Sequence, residues 1–292
     1  MTEARVEGEA FFTTSGERTP HAVVEGAPAP PSQLRLAILD VFEGTRAWDL
    51  WGLLGWHDIR QRYHRSTLGP FWLTISMGAM VGGIGLLYAG FFHQKVADYL
   101  PSMALGFIVW GLLAGLVNDN CSAFIGAESI IKQVQLPLSV HVYRVVWRNL
   151  IIFGHNILIF IVVAIIFKIW PGWSGLLALP ALFLICVNGV WVGILLGLVS
   201  ARFRDVPQIV ASVMQIAFFL TPIIWKPTGL AGHHLILGLN PFLYFLDLLR
   251  APLLGQVPAL SYWFVALAVT LCGWALALVM YRLYRRRIAY WL

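Results

Sequence analysis

Six long stretches of the chain, Phe71–Phe92, Leu100–Asn118, Leu150–Phe167, Leu176–Ala201, Val206–Trp225 and Ser261–Tyr281, contain no Asp, Glu, Lys or Arg. A hydrocarbon core of about 30 Å is crossed by about 20 apolar residues in a helix. Each stretch therefore has the length of a membrane span, and one soluble core is no home for six of them. Composition agrees, with 59% hydrophobic and only 12% charged residues, among them 13 Trp and 18 Phe. The expected fold is an all-α integral membrane protein of six transmembrane helices. Gly78, Gly82, Gly83 and Gly85 in the first span, and Gly189, Gly193 and Gly197 in the fourth, stand at spacings that let helices approach closely.

Positive charge beside a span tends to remain cytoplasmic. One alternating set of flanks holds Arg60, Arg62, Arg65, Lys132, Arg144, Arg148, Arg202, Arg204, Arg282, Arg285, Arg286 and Arg287; the other holds only Lys95, Lys168, Lys226 and Arg250. Both termini are thus expected on the cytoplasmic side. The pI of about 9.4 follows from the same asymmetry and points to a membrane surface rather than to nucleic acid.

Residues 1–33 carry TTSGERT and EGAPAPPS, small, polar and proline-rich without an apolar run. They predict a disordered cytoplasmic tail. A basic n-region followed by an apolar h-region is missing from the start, so no cleavable signal peptide is expected. Residues 34–69 join this tail to the 70–292 transmembrane domain. Here Leu36, Leu39, Phe42, Trp48, Trp51, Leu54 and Trp56 recur at roughly helical spacing among Asp, Glu and Arg. That pattern predicts an amphipathic helix in the cytoplasmic interface, where Trp rings sit at headgroup depth; a helix packed on a soluble partner would read similarly.

Two connections are too long to be turns. Residues 123–149 are cytoplasmic by the charge rule and predict a short helix up to Leu136, stopped by Pro137. A protruding helix of mixed polarity is a docking element. Residues 226–258 are external and apolar but broken by Gly229, Gly232, Gly238, Pro241, Pro252 and Gly255. They predict two short re-entrant or interfacial helices at the mouth of a conduit, because irregular backbone survives at membrane depth only inside protein or along a cavity.

Catalytic chemistry is not visible. Cys121, Cys186 and Cys272 lack metal-ligand or CxxC spacing and read as small buried hydrophobes. The His233-His234 pair lacks a helix-spaced partner and reads as a solvated loop feature. No Lys follows a Gly, which excludes a P-loop, and no GxSxG elbow occurs. Within the spans the ionisable group is His155, beside Asn156, and an interhelical hydrogen bond is expected there rather than a proton relay. A conduit with no energy source of its own requires an energised partner.

The run from Trp51 through Leu53-Leu54, Trp56, Asp58-Ile59-Arg60, Arg62-Tyr63, Arg65-Ser66 and Leu68-Gly69-Pro70 to Trp72 carries a resemblance. So do IIKQVQLPLSV, ARFRDV at 201–206, and FFLTPIIW followed by LNPFLYFLDLLRAPLLG. These motifs, in this order from about residue 48 onward, resemble the membrane subunit of bacterial polysaccharide exporters of the type-2 ABC transporter family. The O-antigen exporters are most alike, with teichoic-acid and capsule exporters behind. The tail of 1–33 is longer than such a subunit needs.

The resemblance implies a homodimer of six-span inner-membrane subunits, paired with two copies of a nucleotide-binding subunit. ATP and Mg would be bound there, leaving no cofactor in this chain. It further implies a glycan built on undecaprenyl diphosphate as substrate. Arg60, Arg62 and Arg65 then stand where a diphosphate enters, and the bidentate guanidinium suits phosphate; their simpler role is a topology anchor. Glu128, Ile131, Lys132 and Gln133 are the expected ATPase contact. Tyr88, Phe92, Trp110, Phe218 and Phe219, with Phe91 and Trp225, are candidate platforms along the glycan path, or members of the interfacial aromatic belt. A small-molecule ABC exporter, and less readily a membrane-embedded glycan enzyme with clustered catalytic groups, are the competing readings.

Overall fold

The computed structural model describes residues 32–62, 71–91, 95–225 and 238–292. The tail of 1–31, Arg65, Phe92 and His233-His234 lie outside the described residues, as does the side chain of Arg62. Regular structure in the described chain is helical: α1 Gln33–Arg46, α2 Trp48–Arg62, α3 Phe71–Phe91, α4 Val96–Asn120, α5 Glu128–Gln133, α6 Ser139–Phe167, α7 Ala178–Arg202, α8 Val206–Leu220, α9 Pro241–Leu253, α10 Leu260–Tyr284 and α11 Ile288–Trp291. Short 3-10 turns precede α5, α7 and α11.

Four helices, α4, α6, α7 and α10, are long and apolar enough to cross a membrane. Shorter apolar stretches, Thr74–Tyr88 of α3 and Val206–Leu220, accompany them. The most enclosed span is α4, which packs on α3, α6, α7, α8 and α9. By contrast α6 and α10 turn apolar faces outward, with Ile161, Val162, Ile165 and Ile166 on one and Leu267, Leu271 and Val279 on the other exposed. A helix apolar all round is a buried helix or a span in lipid.

Two of the span boundaries differ most from the sequence expectation. The third span was expected from Leu150, where the charges cease, yet α6 begins at Ser139. Arg144 and Arg148 continue the helix, for which arginine is well suited, and carboxylates of neighbouring helices neutralise them. The fifth span was expected through Trp225, yet α8 stops at Leu220. Pro222 disfavours the α region for the residue before it, and Thr221 is extended at ψ 134°.

Segment 221–225 nevertheless stays inside the protein, with Thr221, Pro222 and Ile223 buried. Its polar groups are met by neighbours: Arg250 Nη1 donates to Pro222 O at 2.9 Å, Asn240 Nδ2 to Thr221 Oγ1 at 2.9 Å, and the Tyr99 hydroxyl to Ile224 O. Arg250 and Asn240 come from α9 and its N-cap. At 13 residues, α9 rises only about 20 Å and cannot span. Of the two short helices expected in this connection, the described residues contain this one.

Small residues set the inner packing, but only on some of the predicted positions. A Cβ at Gly189, Gly193 or Gly197 would meet Leu116 at 3.0 Å, Val142 at 2.4 Å or Phe124 at 3.0 Å, so α7 needs these glycines to reach α4 and α6. In α3 only Gly85 makes such an approach, 3.1 Å from Met103; Gly82 and Gly83 face open space. Between α7 and α10 Asn188 Nδ2 donates to Thr270 Oγ1 at 2.8 Å, and Asn188 Oδ1 in turn accepts from Trp191 Nε1 of its own helix at 2.7 Å. Cys272, expected to be buried, is exposed on α10, whereas Cys121 is buried.

Candidate gate and coupling site

The segment expected as one amphipathic helix is two, α1 and α2, separated at Ala47 and both packed on α6. Asp40 fixes the first. Its side chain is almost fully buried and accepts from the backbone N–H of Leu138 at 3.1 Å and of Ser139 at 3.0 Å. These are orphan donors at the start of α6, whose own N-cap supplies no side chain. The same carboxylate accepts from Tyr281 Oη at 2.8 Å and from Arg285 Nη2 at 2.8 Å. One residue thus joins α1 to the beginning of α6 and the end of α10.

A second acid holds α2. Asp58 accepts from Arg144 in a side-on bidentate pair, Nε at 2.7 Å and Nη2, and from Arg148 Nη1 at 3.2 Å. Arg148 Nη2 goes on to Asp119 Oδ2 at 2.9 Å, which also accepts from Asn149 Nδ2 at 3.0 Å. Asp119 is the penultimate residue of α4, immediately before the turn that leads to α5. The chain of charges therefore runs α2, α6, α4 and ends beside the α5 connection. Trp51 packs on it, 6.1 Å from Tyr143 and 5.8 Å from Trp147 between ring centroids. Close docking also needs Gly55, where a Cβ would stand 3.1 Å from Arg144 O.

The predicted basic cluster begins at the end of this docked helix. Arg60 is exposed on α2 and makes no ion pair among the described residues. Glu128, Ile131, Lys132 and Gln133 share α5, which ends at Gln133 rather than Leu136 and buries none of its residues. With no fully buried residue to anchor it, so short a helix has little to extend it. Glu128 and Lys132 pair across one turn at 2.7 Å. The Lys132 hydrogen bond and charge hold the Glu128 carboxyl below its ordinary range. Beside α5 lies α11, whose C-cap residue Leu292 accepts from Arg204 Nη2 at 3.3 Å. No Arg–Asp pair forms within the 202–205 turn among the described residues.

Trp110, Phe218 and Phe219 line a groove between α4 and α8, together with Asn118 and Gln215. Phe218 meets Trp110 and Phe219 edge to face, at 5.8 and 5.2 Å, and Trp110 reaches Phe242 of α9 at 5.5 Å. Asn118 Oδ1 has no partner among the described residues. Tyr88 is half-buried beside Phe91, at 6.3 Å, and does not line this groove. The hydrogen bond expected between helices at His155 is instead within α6: Nδ1 lies 2.8 Å from Ile151 O, and the ring edge meets Phe71. Among the described residues no group of His, Cys, Asp and Glu could hold a metal ion.

Sequence reasoning missed Asp40, Asp58 and Asp119. It counted Arg144 and Arg148 only as topology charges, although residues four apart share a helix face and so ask for a common acidic partner. Asp58, inside the WHDIR block, was the available signal.

The chain is thus a bundle of long apolar helices with an ion-paired polar end, beside which lies a short helix with no fully buried residue. Residues 49–254 match the ABC-2 type transporter family, and the chain belongs to it. It is 24% identical over 188 residues, 63% of this chain and 72% of the relative, to the O-antigen export system permease protein RfbA of Myxococcus xanthus. It is 23% identical over 172 residues to the protein of the same name from Klebsiella pneumoniae, covering 58% of this chain and 65% of the relative.

Proposed function

We propose that this chain is the membrane subunit of an ATP-driven exporter that moves undecaprenyl-diphosphate-linked polysaccharide of the O-antigen type from the cytoplasmic to the periplasmic side of the bacterial inner membrane. It acts as a homodimer with two copies of a nucleotide-binding subunit that binds ATP and Mg. Similarity to two O-antigen export permeases carries this reading. The basic end of the bundle is cytoplasmic by the charge rule. On this reading α3 and α8 are the first and fifth of six crossings. With 21 residues, α3 rises about 31 Å. The crossing that α8 begins is completed by the 221–225 segment, buried at 221–223, whose Pro222 and Ile224 carbonyls are met within the protein, as irregular structure at membrane depth requires.

Each part of the site then has a task. The ATPase docks on α5, and its movement passes through Asp119, Arg148 and Asp58 to α2, and the basic cluster of Arg60, Arg62 and Arg65 meets the lipid diphosphate. The aromatic groove between α4 and α8 offers ring faces, and Asn118 and Gln215 offer amides, to passing sugars. Docking is tested with single cysteines at Ile131 or Gln133 in a chain whose Cys121, Cys186 and Cys272 are replaced by Ala. Disulfides to a cysteine-bearing ATPase subunit are expected in high yield from these positions, and crosslinks found only from the 202–205 turn would refute the assignment.

Headgroup capture is tested by Arg60→Lys, Arg62→Lys and Arg65→Lys. Lysine keeps the charge but loses the planar fork, and a charge-assisted hydrogen bond contributes about 1.5–3 kcal/mol. Glycan export is expected to fall about tenfold or more in at least one variant, with complex assembly intact. Export within about twofold of the parent in all three would leave the cluster as a topology anchor alone.

A further inference from the structure

Where α7 and α10 end together, a pocket of about 610 Å³ opens between them and α11. Its lining includes Arg202 from α7, Tyr284 from α10, and Arg286, Arg287, Tyr290 and Trp291 from the segment that follows. Arg285, the neighbour of two of these, is turned away to Asp40. None of Arg202, Arg286 and Arg287 makes an ion pair among the described residues. Arg202 instead rests 5.5 Å over the Trp291 ring and Arg287 5.9 Å over Tyr284. The aromatic faces hold the guanidinium groups in place while leaving their N–H forks uncommitted.

We infer that this pocket binds the phosphate headgroup of an anionic phospholipid of the surrounding bilayer. Three unpaired guanidinium groups match a phosphodiester in charge and in bidentate geometry. Both helices that frame the pocket are long enough to span, so it sits where the hydrocarbon gives way to headgroups, the depth favoured by Tyr, Trp and Arg. Below it Leu276, one turn from Met280 of the lining, is exposed and continues as an apolar track for an acyl chain. Basic pockets between spans are a recurrent way of holding anionic headgroups. This site is separate from the Arg60 end of α2 and needs no substrate or ATPase.

The full chain is reconstituted in bilayers that contain phosphatidylglycerol and phosphatidylcholine at equal mole fractions, with a photoactivatable phosphatidylglycerol probe. Crosslinks are expected to concentrate on peptides covering 198–203 and 284–291, and native mass spectrometry is expected to show retained phosphatidylglycerol over phosphatidylcholine. Replacing Arg202, Arg286 and Arg287 together by Gln should weaken that retention at least about tenfold, while the melting temperature in phosphatidylcholine alone stays that of the parent. Crosslinks spread evenly over the lipid-facing helices, or equal retention of the two lipids by the parent, would overturn the proposal without recourse to any variant. Inorganic phosphate that displaces the probe at millimolar concentration would equally overturn it, by assigning the site to a free anion.

Discussion

Asp40→Ala is expected to lower the unfolding free energy by about 3–5 kcal/mol, the range found when one partner of a buried ion pair is removed. Arg285 loses its carboxylate, Tyr281 its acceptor, and the Leu138 and Ser139 N–H groups their cap, all at a position that is 1% exposed. Water cannot easily replace these partners, because Tyr281 is itself 0% exposed. Asp40→Asn should recover part of the loss, since its amide oxygen still accepts from one of the N–H groups while the charge is gone. Thermal unfolding of purified protein in one detergent measures the effect. A melting temperature for Asp40→Ala equal to the parent's would show that α1 is not held by this residue.

Asp58→Ala is expected to undock α2 while leaving the spans folded. The carboxylate makes charged hydrogen bonds to Arg144 and Arg148, and its removal costs about 3 kcal/mol of docking free energy, or roughly a hundredfold in the docked population. Amide exchange over 48–62 should rise by that order, and substrate-stimulated ATP hydrolysis by the assembled exporter should fall with it. Arg144→Ala should act through the same contact, so the double variant costs little more than either single one. Additive effects would mean that Asp58 and Arg144 contribute separately and that the line of charges from α2 to Asp119 is not a unit.

The apolar interiors of α4, α6, α7 and α10 were legible because hydrophobic run length reports burial in lipid directly. Their ends were not. Arg144 and Arg148 look like the water side of a boundary until Asp58 and Asp119, 86 and 29 residues away from them, bring compensating charge. The Arg144/Arg148 spacing and Asp58 in the WHDIR block each carry a signal, but nothing local says that the two meet. Pro222 did mark the end of α8 for a reader who applied the restriction on Thr221, but the apolar run through Trp225 masked it. The glycines of α3 and α7 illustrate the converse: both helices carry clustered glycines, yet packing is close at Gly189, Gly193 and Gly197 and open at Gly82 and Gly83. Spacing permits approach, and only the neighbouring helix decides whether it happens.

The short helix α5 could be placed from the sequence because Lys132, Glu128 and Pro137 bound a mixed-polarity segment between two apolar runs. The pocket behind α11 could not, since it is assembled from the ends of helices far apart in the chain. Asp40 belongs with it: nothing near Asp40 in sequence foretells that Tyr281 and Arg285 will close over it.

Co-reconstitution tests the central claim that this chain is a conduit driven by a separate ATPase. The purified chain is placed in proteoliposomes alone and with an ABC nucleotide-binding subunit, and both ATP hydrolysis and transfer of a lipid-linked glycan across the bilayer are followed. The account predicts background hydrolysis and no transfer for the chain alone, and ATP-dependent transfer for the pair that Asp58→Ala abolishes. Robust hydrolysis by the chain alone, or transfer by the pair that continues without ATP, would contradict it.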